Sequence, residues 1–216
     1  AAIGQGFRVN LIDGVTGSGK TEVYFEAVEA AIKAGQQVLI LLPEIALSAA
    51  WRARFTARFG VAPVEWQSDV SSGQKRKSWR FVLQGSASVV VGARSALFLP
   101  FSKLGLIIVD EEHEHAFKQE DQVIYQARDM AVLRGKLDQS PVILASATPS
   151  LESWVNAGKT GAPPRYDYLA LPKRVHNAQL PTIIAINLRK TPPERRRWLA
   201  PPLVEAIGAR LAVGEQ

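Results

Sequence analysis

Cysteine is absent from the 216 residues, so within them no disulfide and no thiolate-held zinc site can form. Histidine occurs three times and methionine once, which leaves little material for an imidazole-bound metal. No apolar run approaches the roughly 18 to 20 residues a helix needs to cross a bilayer, and no secretory leader pattern opens the chain. No membrane partner is expected. The G-x-S-x-G elbow of one large class of serine hydrolases is missing as well. What remains is a chain with 47% hydrophobic residues, long enough to bury one substantial core. Its formal charge is +6, and the excess is uneven, with nine Lys and Arg against four Asp and Glu in residues 160–216. Such a balance is compatible with nucleic acid without requiring it.

The most informative stretch is Gly14-Val15-Thr16-Gly17-Ser18-Gly19-Lys20-Thr21, a full match to G-x-x-x-x-G-K-[ST]. Glycines allow the backbone to wrap a polyphosphate so that successive N–H groups point at its oxygens. Gly17, Ser18, Gly19, Lys20 and Thr21 are therefore the expected ATP-binding residues. Lys20 would reach the β- and γ-phosphates, and the Thr21 hydroxyl would hold Mg²⁺. The setting agrees with this reading. Phe7 to Ile12 reads as a buried strand and Thr21 to Ala34 as an amphipathic helix stopped by Gly35, which brings a helix N-terminus against the phosphates.

Further along, apolar runs at Gln37–Leu42, Val61–Trp66, Ala87–Val91, Leu106–Val109 and Val142–Ala145 read as strands, and Ile45–Phe59 and Ser71–Leu83 read as helices. Alternation of this kind predicts an α/β fold, a parallel sheet with helices on both faces, whose ligands bind beyond the C-terminal strand ends. Three polar constellations fall there: Gly92-Ala93-Arg94-Ser95, Asp110-Glu111-Glu112-His113 and Ser146-Ala147-Thr148-Pro149-Ser150. From about Thr160 the texture changes, and eight of the 13 prolines lie beyond it. The expected division is an ATP-binding unit at 1–159, a Pro-rich basic linker at 160–200 and, at 201–216, a helical pattern with no obvious domain to belong to, which becomes the start of another lobe only through the family resemblance that the motifs carry. Opening at Ala1 and stopping at Gln216 on a helical pattern, the sequence reads as a piece of a longer protein.

A nucleotide cradle needs a second oxygen ligand for its metal. Asp110, emerging from a strand on the neighbouring tip of the sheet, is the candidate, and Glu111 beside it is placed to activate the attacking water. Lys20, Asp110 and Glu111 are thus the expected catalytic residues, with Thr21 and Asp110 as metal ligands. His113 is expected to bond near the γ-phosphate or to the strand end at Ser146–Thr148. Phe117, Lys118, Tyr125 and Arg128 interleave aromatics with cations, a composition that could stack bases and grip a backbone, although Phe117 and Tyr125 could equally be core.

These motifs, in this order, resemble those of the superfamily 2 DNA helicases, and within them the replication-restart helicases of the primosome. The resemblance rests on residues 14–24, Leu41–Leu47, Gly92–Phe98 with Pro100-Phe101, Val109–His113, Tyr125–Asp129 and Ser146–Ser153. It implies a RecA-like lobe of an ATP-driven motor that moves 3′ to 5′ on single-stranded and forked DNA, in the bacterial cytoplasm, with primosome and single-strand-binding proteins as partners. By the same resemblance Pro43, Glu44, Arg94 and Ser95 would line the DNA track, Ser146 and Thr148 would couple hydrolysis to movement, and a zinc module would belong outside these residues. The loop before Tyr125 departs from the pattern, carrying Val123 and Ile124 where the family is richer in aromatics. Two other classes remain at this point: a P-loop phosphotransferase for a small molecule, and a DNA-binding module with a vestigial nucleotide site.

Overall fold

The computed structural model describes residues 6–43, 46–68, 70–175 and 183–214. The chain divides into two units, residues 1–177 and 178–216. The first is built from β1 (Val9–Gly14), α1 (Lys20–Lys33), β2 (Gln37–Leu41), α2 (Ala49–Phe59), β3 (Val64–Trp66), α3 (Ser72–Leu83), β4 (Val89–Gly92), β5 (Leu104–Asp110), a short hairpin of β6 (Lys118–Gln119) and β7 (Tyr125–Gln126), α4 (Ala127–Leu137), β8 (Val142–Ser146), α5 (Leu151–Asn156) and β9 (Asp167–Leu171). Seven strands form one sheet in the order β3-β4-β2-β5-β8-β1-β9, with every pairing parallel.

Parallel strands are buried on both faces, so their side chains alternate between two cores rather than between core and water. Leu39, Leu41, Ile107 and Val109 pack with Val82 of α3 and Ala127 and Ala131 of α4. The intervening Val38, Ile40, Leu106 and Ile108 pack with Tyr24, Phe25 and Val28 of α1 and Trp51 and Phe55 of α2. On that second face Phe25 meets Trp51, Phe55 and Phe59 edge-on, with centroids 5.3 to 5.8 Å apart. The expected strand-and-helix alternation is present. Helix starts follow cap chemistry more closely than periodicity: α2 begins only after Ser48, whose side chain accepts from the Trp51 amide, and α3 after Ser71, whose side chain accepts from Gln74.

Two readings need correction. Residues 160–200 are expected to be linker, yet Asp167–Leu171 form β9, paired in parallel with β1 from Asn10↔Asp167 to Gly14↔Leu171. As an edge strand it is only half covered and is stopped by Pro172, so it lacks the uninterrupted apolar run that marks the central strands. The Asp110 strand is also not a direct neighbour of the phosphate-loop strand, since β8 lies between β5 and β1. In the second unit, Pro201–Ala212 form α6, opened by proline in its first turn, with Leu203, Val204, Ile207 and Leu211 exposed along it. Among the described residues no helix is long and apolar enough to cross a membrane.

Candidate nucleotide and nucleic-acid site

β1 ends in the glycine-rich loop, and the loop ends in α1. Gly17 and Gly19 have φ of +79° and +85°, a left-handed backbone that side chains resist. Gly19 is the N-cap of α1 and offers no side chain to its first-turn amides, which leaves them for an anion. Ser18 Oγ is buried without a hydrogen-bond partner among the described residues. Lys20 is buried and its Nζ donates to the Gly14 carbonyl over 2.7 Å, while Thr21 follows in the first turn. A loop with an orphaned hydroxyl, a folded-back ammonium and uncapped amides fits a nucleotide polyphosphate.

The loop is tied down by the end of β9 and the residues after it. Val15 N–H donates to the Leu171 carbonyl over 3.2 Å, and Val175 N–H donates to the Gly17 carbonyl over 2.9 Å. Sequence reading missed this strap, because it treated the region as linker.

Asp110 closes β5 on the same edge. Its Oδ2 accepts from the Tyr24 hydroxyl over 2.9 Å, and its Oδ1 accepts from the Glu111 amide over 3.0 Å. Tyr24 lies one turn beyond Lys20 on α1, so the structure brings Asp110 to the helix that carries Lys20 and Thr21. Burial pushes the Asp110 carboxyl up to about 6; the Tyr24 hydrogen bond opposes this, the Glu111 charge adds to it and the Lys20 charge also opposes it. Burial, with the Asp110 charge, raises Tyr24 well above a free phenol. Glu111 adopts φ of +52°, a left-handed conformation that costs a non-glycine residue about 1–2 kcal/mol. The strain sits at the residue expected to activate water.

His113 Nδ1 lies 2.7 Å from Ser146 Oγ, which also accepts from the Thr148 amide over 3.0 Å. Of the two expected positions for His113, the structure realises the strand-end one. Glu112, unassigned from sequence, is the most buried acid of the group. It accepts from Ser150 N over 2.8 Å, from the hydroxyls of Ser150 and Ser153 over 2.9 Å each, and from Arg128 Nη1 over 3.4 Å.

The expected DNA residues separate. Leu42, Pro43, Ala46, Ala93, Arg94, Glu111 and Phe117 share the walls of a cleft of about 500 Å³, so Pro43 and Arg94 meet Glu111 across one opening. Arg94 Nη1 donates to the Lys118 carbonyl over 2.5 Å and to that of Ala116 over 3.3 Å. Ser95, Lys118 and Thr148 are exposed, and Lys118 pairs with Glu120 over 2.8 Å. Glu44 lies outside the described residues. Two assignments are corrected. Phe117 is 1% exposed within the core, so its ring cannot stack on a base. Arg128 is buried and spent on Glu112, Asp129 and Ser150, so it cannot grip a backbone. Tyr125 is half-buried and meets the exposed Phe98 edge-on at 5.4 Å, while Val123 and Ile124 between the hairpin strands are 73% and 72% exposed.

The chain resembles known proteins in sequence and in fold. Residues 2–156 match the family described as DEAD/DEAH box helicase. The chain is 47% identical over 204 residues to replication restart protein PriA of Rickettsia typhi, covering 94% of this chain and 31% of that protein. It is 46% identical over 186 residues to replication restart protein PriA of Synechocystis, covering 86% of this chain and 22% of that protein. The chain thus spans a third or less of the curated relatives it matches. A solved structure of RecG bound to a three-way DNA junction superposes with a TM-score of 0.56 at 22% identity, covering 79% of this chain and 21% of that one, a likeness of fold. Neither the phosphotransferase nor the vestigial-site reading is favoured by these relatives.

Proposed function

Because the chain belongs to the DEAD/DEAH box helicase family, we propose that it is the ATP-binding motor lobe of a DNA helicase that acts in replication restart and moves 3′ to 5′. The single observation that carries the reading is the 2.9 Å hydrogen bond between Tyr24 and Asp110, which ties the Asp110-Glu111 tip to the helix that opens with Lys20 and Thr21.

In this reading the amides of Gly17 to Thr21 hold the phosphates, and Lys20 leaves the Gly14 carbonyl for the β- and γ-oxygens. Thr21 and Asp110 hold Mg²⁺, directly or through water. Bound there, the cation neutralises charge on the β- and γ-phosphates. Glu111 orients and deprotonates the attacking water. His113, Ser146 and Thr148 report the state of that site to the strand ends. Pro43, Glu44, Arg94 and Ser95 lie along the DNA track, with Lys118 and Tyr125 on its hairpin side. Residues 1–159, extended by β9, make the lobe, and α6 opens a second lobe that supplies the remaining catalytic cation. Zinc, primosome and single-strand-binding contacts belong to other parts of the intact protein, whose setting is the bacterial cytoplasm.

The test is ATP hydrolysis by the intact protein with and without single-stranded DNA, alongside strand displacement on a forked duplex. DNA-stimulated turnover that Glu111→Gln abolishes while nucleotide binding survives supports the proposal. Turnover indifferent to both DNA and Glu111 overturns it. Residues 1–216 alone should turn over slowly, since an arginine supplied from outside such a site contributes about 10³- to 10⁵-fold in rate.

A further inference from the structure

Tyr24 is fully buried, and its hydroxyl meets Trp51 and Asp110, with the Thr21 side chain as a further hydrogen-bond partner. The indole Nε1 of Trp51 donates to the Tyr24 hydroxyl over 3.0 Å, and Asp110 Oδ2 accepts from it over 2.9 Å. An indole N–H can only donate, so the phenol oxygen accepts there and its one proton is committed to Asp110. The hydrogen bonds therefore run in one direction, from Trp51 through Tyr24 to Asp110. The second carboxylate oxygen of Asp110 is held by the Glu111 amide at 3.0 Å. With one fixed donor on each oxygen, the carboxylate cannot rotate without breaking a buried bond, which is costly.

The far end of the relay is also fixed. Trp51 stacks on Phe55 with centroids 5.4 Å apart and 20° between planes, and its amide donates to Ser48 Oγ, the N-cap of α2. Three residues from α2, α1 and β5 thus form one rigid line whose near end is the expected metal ligand. Packing alone does not require it: a phenylalanine at position 24 would fill the same aromatic core and bury no hydroxyl.

We infer that Tyr24 and Trp51 are positioning residues that fix the Asp110 carboxylate for a divalent cation, with Trp51 acting only through Tyr24. Metal ligands owe much of their affinity to the groups that orient them. The inference rests on the nucleotide reading given above, and it adds two residues that touch neither nucleotide nor metal.

The test is a Mg²⁺ titration of fluorescent ATP-analogue binding to the intact protein, with binding of the same analogue in EDTA as the second readout. Tyr24→Phe should raise the half-saturating Mg²⁺ concentration roughly 10-fold while leaving metal-free binding unchanged. Trp51→Phe, which keeps an aromatic ring beside Phe55, should raise it less, and the double variant should be no worse than Tyr24→Phe alone. A Tyr24→Phe protein that titrates like wild type overturns the relay. So does equal loss of metal-free and metal-dependent binding, or a double variant whose effects add. Wild-type protein that binds no analogue, or binds it equally well after Lys20→Ala, overturns the nucleotide reading and the relay together.

Discussion

His113 Nδ1 stands 2.7 Å from Ser146 Oγ, and this contact joins the acidic turn after β5 to the last residue of β8. The same Ser146 oxygen receives the Thr148 amide, so one buried hydroxyl links His113 to the exposed Thr148. Ser146→Ala in the intact protein should leave ATP-analogue affinity near wild type and lower DNA stimulation of hydrolysis roughly 10-fold, within the range by which single residues modulate coupling between sites. Undiminished DNA stimulation would remove this contact from the coupling path.

Arg128 answers to stability rather than to DNA. Its guanidinium is 6% exposed and faces the fully buried Glu112. Arg128→Ala should destabilise the fold by about 3 kcal/mol, because it leaves a buried carboxylate without its cation. The Ser150 and Ser153 hydroxyls still bond Glu112, which keeps the cost from rising much further. Arg128→Lys should recover only part, since one ammonium nitrogen cannot stand both where Nε meets Asp129 and where Nη1 meets Ser150 and Glu112. Denaturant unfolding midpoints check both. Loss of DNA affinity with unchanged stability would return Arg128 to the DNA surface.

Much of this arrangement is legible in the sequence, and the exceptions have physical causes. The phosphate loop, the central strands and the acidic turn announce themselves because each joins an uninterrupted apolar run to residue types with few other uses. β9 escapes because an edge strand needs no such run. Tyr24 falls on an apolar stripe and reads as core, which it is; only the fold reveals that its hydroxyl meets Asp110 and Trp51, residues 86 and 27 positions away. Arg128 and Phe117 mislead for the converse reason. A cation or ring in a polar loop resembles a surface residue until its partner, here Glu112 or the sheet, is brought in by a distant segment.

Acidity supplies a stability signature. The Asp110 carboxyl is raised from 3.8 to about 6, so the folded state without metal holds this proton more tightly than the unfolded chain. Its contribution is fully present below about pH 4 and is lost as pH rises through about 6, a loss of the order of 2–3 kcal/mol. Metal-free and nucleotide-free protein should accordingly show a stability component that declines between pH 4 and 6, and Asp110→Asn should flatten that segment. Denaturant midpoints across that range read it directly, and an identical slope in the variant would contradict the assigned cause.

The most direct measurement is a crystal structure of the intact protein with a non-hydrolysable ATP analogue and Mn²⁺, located by its anomalous scattering. The account predicts the metal peak within direct or one-water reach of both the Thr21 hydroxyl and the Asp110 carboxylate, with Lys20 Nζ moved from the Gly14 carbonyl onto the phosphates. A metal peak remote from Asp110, or phosphates bound away from the Gly17–Thr21 amides, would contradict it.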